Sequence, residues 1–308
     1  MEKSEVAHLY IRYTDEVHVY SASTDYAPLC RVNYGTLRDC HNRSNIRATS
    51  ANLAGICVEN HGLIKKCQNQ ANLTANNKNV AGLCLYNHDS IIECVGVASS
   101  RYSGAKFGGM CLENRGKVVN CLATYNNNID SLNITGCGCI VYKNFSGAEI
   151  IFCRVSGDLR LTNDEEIGGI VDINEGLVDS CFIVQVFAVL KGGKVGGIAS
   201  IQQGESANIR NCYVTNRIFC TAIGDGGYGA GIVGYLNGGK VENCYSQCNI
   251  TGLKIAAIFS QGISGEVNNC YAYGSPTSYG IFYRLLSDGV KLNSCYSNVG
   301  VYPSSRVD

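Results

Sequence analysis

Hydrophobic and polar positions along the chain keep returning to one pattern. AGICVENHGLIKKC from Ala54, AGLCLYNHDSIIEC from Ala81 and GGMCLENRGKVVNC from Gly108 superpose with an offset of 27 residues each time (81 − 54 and 108 − 81). Each segment holds a small pair, an aliphatic, a cysteine and an asparagine, then a β-rich run closing on a second cysteine. A fixed period of this size marks a repeat architecture. Three residues before each closing cysteine stands an aliphatic: Leu37, Ile64, Ile91, Val118, Ile150, Val178, Ile209, Val241, Val267 and Leu292. That row has no polar member and faces a core. The closing cysteines are Cys40, Cys67, Cys94, Cys121, Cys153, Cys181, Cys212, Cys244, Cys270 and Cys295. Strict strand alternation puts residues three apart on opposite faces. Two buried rows at this spacing therefore predict a corner between them.

A second aliphatic row holds Leu29, Ile56, Leu83, Met110, Ile170, Ile198, Ile232, Ile258 and Ile281, and Gly138 breaks it. Between the two rows asparagine marks a turn, at Asn33, Asn60, Asn87, Asn114, Asn174 and Asn237. Gly35, Gly62, Gly116, Gly176 and Gly239 follow two residues later, and both residue types tolerate left-handed backbone. Stacked at one coil per ~4.8 Å, the amides can bond along a ladder. The closing cysteines are 27, 27, 27, 32, 28, 31, 32, 26 and 25 residues apart, so the insertions fall in the middle coils.

The expected fold is all-β: one right-handed parallel β-helix (β-solenoid) of about ten coils of 25–32 residues, since β-crossovers are nearly always right-handed. Its single domain spans 1–308, with an N-terminal cap over 1–26, coils over 27–299 and a tail or C-terminal cap over 300–308. Within the cap, Val6–Tyr13 and Val17–Tyr20 read as two short strands that cover the first coil's open edge.

Composition sharpens this picture. The 308 residues carry zero formal net charge and no Lys/Arg cluster, which argues against nucleic acid or an anionic membrane as the main partner. No apolar run approaches the ~18 residues of a membrane span. The first twenty residues carry charges throughout and do not read as a signal peptide, so localisation stays open between cell interior, cell surface and secretion. Thirty-six glycines against three prolines suit many tight turns. Eighteen cysteines would suggest disulfides, but ten close the coils and five sit earlier in the first five: Cys30, Cys57, Cys84, Cys111 and Cys139. Side chains in such columns point the same way, so free, buried thiols are expected.

The stretch GAGIVGYLNGGKVENCYSQCNITG from Gly229 resembles the GLUG repeat of bacterial proteins. The pattern is carried by Gly231, Ile232, Val233, Gly234, Asn237, Gly238, Gly239, Val241, Asn243, Cys244, Tyr245, Thr251 and Gly252. Weaker copies begin at Gly196 and Gly265, and the first coils depart from the pattern by placing Cys where it has Val. The resemblance implies a parallel β-helix module of large surface or secreted proteins with adhesive or scaffolding roles. It brings no catalytic residue with it.

Candidate chemistry is sparse. Gly229 to Gly234 fits GxGxxG but lies in a β repeat with no helix to follow, so it is read as structural. His61 and His88 share one repeat position; a stacked metal pair is the sharp reading and exposed turn residues the bland one. Cys137 and Cys139 form a lone CxC, and Glu59 and Glu113 flank Tyr86 as a marginal carboxylate pair. Asp158, Asp164, Glu165 and Glu166 form the one dense acidic group, without an identifiable base. No GxSxG, HExxH, EF-hand or P-loop occurs. Asn-x-Ser/Thr sequences at Asn42, Asn72, Asn133, Asn144 and Asn249 bear only on a secreted eukaryotic chain. No repeated Thr-x-Thr row supports an ice-binding face.

Tyrosine gathers toward the C-terminal half. Tyr213, Tyr245, Tyr271 and Tyr296 each follow a closing cysteine. With the cysteines inward, alternation turns these rings outward into a column, either exposed or covered by neighbouring loops. They are the expected ligand-binding residues, with a polysaccharide or an extended polypeptide as partner. End-to-end self-association, or membership of a longer chain, is the other partner reading. No catalytic residue, metal or cofactor is expected. The leading function is a non-enzymatic rigid binding, adhesion or scaffold module. The rival is a carbohydrate-active enzyme (a lyase or glycoside hydrolase) on the same fold, which a groove holding two carboxylates and a base would favour.

Overall fold

The computed structural model describes residues 4–12, 17–19, 24–98, 105–125, 135–157, 159–161, 166–184, 187–189, 193–216, 218–220, 227–248, 254–274 and 280–298. Among them there is no helix, and every strand pairing is parallel. One coil shows the plan. A short strand, Val80–Ala81, bends into Cys84–Asn87; the asparagine turn leads to Ser90–Ile92; a corner at Glu93 and Cys94 leads to Val95–Ala98. The chain then returns to Lys106–Gly108, directly above Val80–Ala81. Stacking makes one 18-stranded sheet from both flanks of the asparagine turn, an 11-stranded sheet from the strands after the cysteines and an 8-stranded sheet from the short strands. All faces are therefore present in about eight turns, against the ten expected.

The corner is where the spacing of the two rows required it. The residue before each of the ten closing cysteines is left-handed, from Asp39 (φ 52°) and Lys66 (φ 53°) to Ser294 (φ 52°). One left-handed residue breaks the alternation, so the aliphatic row and the cysteine row both enter the core. Each thiol is then within donor reach of two carbonyls, that of the residue two before it, as Arg210 O is for Cys212 (3.2 Å), and, from Cys67 on, that of the aliphatic-row residue one coil back. Examples are Cys67 Sγ to Leu37 O (3.4 Å), Cys153 Sγ to Val118 O (3.5 Å) and Cys295 Sγ to Val267 O (3.3 Å). Cysteine fits here as a small, largely apolar residue with a weak donor. Sixteen cysteines are described, all unbonded to one another; the side chains of Cys220 and Cys248 lie outside the described residues. Burial pushes the thiols of Cys94, Cys121, Cys181 and Cys244 up, which keeps them protonated.

Asparagines form the second ladder. Side-chain amides link Asn33, Asn60, Asn87, Asn114, Asn144 and Asn174 in sequence at 2.8–2.9 Å, and Asn174 donates to Gln202 at 2.7 Å. Two expectations change here. Asn144 belongs to the row, whereas Asn237 does not: Leu236 pairs with Gln202 and is buried, leaving Asn237 exposed. The glycines of this turn are also not left-handed, apart from Gly239 (φ 71°). Gly62 and Gly116 are needed for close stacking, since a Cβ there would lie 2.2 Å from Gly35 O and 2.0 Å from Asp89 O.

Coil five corrects two further rows. Cys111 pairs with Val141, not Cys139, so the early cysteine column ends after four members. Ile140 accepts the Met110 amide and continues the aliphatic row that Gly138 was expected to break. The cause is a longer asparagine turn, Phe145 to Ala148, where Gly147 takes φ 81°. Counting back from Cys153 across those two extra residues slips the alignment by two.

At the N-terminus, Glu5–Ala7 stacks on Thr36–Arg38, Tyr10–Ile11 on His41–Asn42 and Val17–Val19 on Ile46–Ala48. The first expected strand is split at His8 (φ 55°), which repeats the corner of the coils that follow. Residues 300–308 lie outside the described residues.

Candidate functional site

The strand after each closing cysteine opens with an outward residue. In register these are His41, Gln68, Val95, Leu122, Arg154, Phe182, Tyr213, Tyr245, Tyr271 and Tyr296, with Tyr10 of the N-terminal strands paired to His41. The structure thus brings the four expected tyrosines into one column. No loop among the described residues covers them: Tyr213, Tyr271 and Tyr296 are 38, 40 and 58% exposed, and Tyr245 is half-buried.

The last three rings stack like coins along the solenoid axis. Tyr245 and Tyr271 lie 5.5 Å apart at 18°, Tyr271 and Tyr296 5.3 Å apart at 13°. Stacked rings hide their faces in one another and present edges and hydroxyls to solvent. Each such pair adds about 0.5–1.5 kcal/mol beyond its buried area, so the column also stiffens the coils that carry it. Tyr245 donates its hydroxyl to Gln247 Oε1 at 3.3 Å, and Tyr273 is a further exposed ring two residues along the strand.

Sequence reasoning missed the column's continuation. Phe182 stacks on Tyr213 (4.9 Å, 5°), and the Arg154 guanidinium lies 6.0 Å from the Phe182 ring. Looking for tyrosine alone hid both; the position one past the cysteine was the usable signal. Beside Arg154 opens a groove of about 580 Å³ lined by Asn120, Leu122, Phe152, Arg154 and Phe182.

The other candidates resolve structurally. His61 and His88 stack at 4.4 Å with rings parallel to 1°, Tyr34 stacks on His61 at 5.1 Å, and His61 Nε2 lies 3.4 Å from Glu59. Burial, then the neighbouring His61 and Arg115, hold the His88 pKa down. No group of three or more metal-ligating side chains occurs among the described residues. Glu59 and Glu113 each pair within their own coil, with His61 and Arg115. Tyr86 between them donates to Asp25 at 3.3 Å, and burial with that carboxylate pushes its pKa up to about 12. Cys137 and Cys139 are buried. The GxGxxG stretch lies across Tyr228–Ala230 and Val233–Glu242, strands with no helix to offer a phosphate its N-terminus. Of the acidic group only Glu166 is described, paired with Lys194 at 2.6 Å; Asp158, Asp164 and Glu165 lie outside, as do Asn133 and Asn249.

One buried acid went unnoticed in the sequence. Asp172 is fully buried, and both carboxylate oxygens lack a hydrogen-bond partner among the described residues. Burial, then the nearby Glu166, pushes its pKa well above the carboxylate range. Its neighbours in the same column explain it. Ser200 and Ser260 donate to the carbonyls of Lys194 and Lys254, six residues earlier, at 3.0 Å each. A protonated Asp172 carries the same kind of hydroxyl, and Gly136 leaves room for it, since a Cβ there would lie 2.6 Å from Asp172 Oδ2. With its oxygens sealed from solvent, this acid is part of the packing.

Fold and column together define a class: a rigid parallel β-solenoid with an asparagine ladder and a thiol ladder, carrying an outward aromatic column on one face. No family model, curated protein or solved structure matches the chain. No helix among the described residues is long and apolar enough to cross a membrane.

Proposed function

We propose that the chain is a non-enzymatic binding module, a rigid rod whose aromatic column holds an extended polymer. The observation carrying this reading is the run of solvent-facing rings at one per coil, from Phe182 to Tyr296. An exposed strip of this kind on a soluble repeat fold more often serves contact than chance. Between the two partners expected from sequence, the stacking favours a polysaccharide. Ring edges and hydroxyls recurring once per coil suit a partner whose own hydroxylated rings recur along its length. An extended polypeptide would be better served by an open strand edge or by separate side-chain pockets. The resemblance to GLUG repeats supports the same reading, with adhesion or scaffolding in a larger surface protein as its setting.

Replacing Tyr245 and Tyr271 together by serine tests this. Retention on a panel of immobilised glycans should be lost. The stacks removed account for about 1–3 kcal/mol beyond the apolar area the two partly exposed rings bury, and the variant should still melt cooperatively. Full retention of glycan binding by a folded double variant would refute the site.

A further inference from the structure

Resting on that reading, we propose that the polymer held by the column is acidic, and that Arg154 is the subsite for one of its carboxylates. Arg154 is the one charged member among the outward residues from Val95 to Tyr296. Its guanidinium continues the column as a cation, 6.0 Å from the centre of the Phe182 ring.

A second stack on the same molecule shows how an arginine looks when its charge is already used. On the asparagine turn, Arg115 sits 3.6 Å over Phe145 and pairs with Glu113 at 3.4 Å. Arg154 has the ring contact without the acid: among the described residues no carboxylate lies within ion-pair distance of it. The coil on its N-terminal side supplies no ring either, because Leu122 stands there. Phe152, 58% exposed on its left-handed corner, rises beside it where most coils carry a charged or small polar residue. These replacements open the groove at Arg154, so the guanidinium fork faces open space flanked by two aromatic side chains. Arginine binds carboxylate through two parallel N–H donors that match its two oxygens. A chain lying along the tyrosines would bring a carboxylate-bearing sugar to this fork within a few coils.

Polygalacturonate and its fully methyl-esterified form share a backbone and differ in charge, which makes them suitable probes. By calorimetry, the parent protein should bind the acid form about tenfold more tightly, the worth of one charge-assisted hydrogen-bonded pair. That preference should shrink with added salt. Arg154→Gln should bind both forms equally, Arg154→Lys should restore part of the preference, and the Tyr245→Ser, Tyr271→Ser variant should bind neither. Equal binding of both forms by the parent, or an unchanged preference in Arg154→Gln, overturns the carboxylate subsite while leaving the column standing. Absence of binding to either form, by a parent that also fails on the glycan panel, overturns both.

Discussion

Asn114 sits in the middle of the amide ladder, and its replacement by leucine should show how much that ladder contributes. Its Nδ2 donates to Asn144 Oδ1 at 2.8 Å and also reaches Gly116 O and Glu149 O at 3.2 Å. Its Oδ1 accepts from Asn87 at 2.8 Å and from the Gly116 amide at 3.3 Å. Leucine has similar bulk, so the main loss is of partners rather than volume. Asn144 Oδ1, fully buried, and Gly116 N–H, partly buried, are left without their side-chain partner, whereas Asn87 Nδ2 keeps two carbonyls. At about 1–3 kcal/mol for each orphaned group, the loss is about 2–6 kcal/mol. Asn33→Leu orphans one group instead of two: Gly35 N–H loses its acceptor, whereas Asn60 Oδ1, to which Asn33 donates, keeps the Gly62 amide at 3.4 Å. It should cost roughly half as much. Urea denaturation followed by circular dichroism gives both midpoints, with the m-value monitored because repeat arrays can unfold in parts. Equal shifts from the two variants would refute the reasoning, since the effect would then come from the local turn and not from the ladder.

Three further outcomes are expected. Asp172 holds its proton in the folded state above the pH where an unfolded Asp releases it, so its contribution is present below about pH 4 and is lost as pH rises through the raised folded pKa. Asp172→Ser, copying Ser200, should therefore raise the melting temperature at pH 8 and much less at pH 4; a variant less stable than the parent at pH 8 would count against a neutral acid. Lys66→Gly, at a left-handed corner (φ 53°), should stabilise by up to about 1 kcal/mol in thermal melts, whereas the same change at Lys65 in the adjoining strand should destabilise. Thiol titration of native protein should find few reactive groups and most of the eighteen after non-reducing denaturation, and finding half of them oxidised in fresh protein would contradict the free-thiol ladder.

The fold was legible because each coil repeats its inward residues. The aliphatic and cysteine rows alone demanded a corner, although nothing showed that Lys66, Glu93 or Phe152 would adopt the left-handed conformation, since none of these residues favours it. Errors arose where a turn changed length. The two extra residues before Cys153 hid Asn144 and Ile140, because an alignment anchored on one cysteine cannot say on which side of a turn an insertion lies. The tyrosines were legible as a column for the same reason as the core. Arg154, Phe182 and Asp172 were not, because each is the exception in its column, and only neighbours in space give an exception meaning.

The corner has a consequence for how such a rod can change. Coil length varies from 25 to 32 residues, yet each post-cysteine strand stays in register with the next. Insertions are taken up in the turns and return segments, so the interval between rungs is fixed by backbone hydrogen bonding and not by how many residues a coil contains. The molecule therefore behaves as a ruler with a fixed graduation. Duplicating one of the coils that carry Phe182 or the tyrosines would add one mark and one ring without disturbing the marks already there.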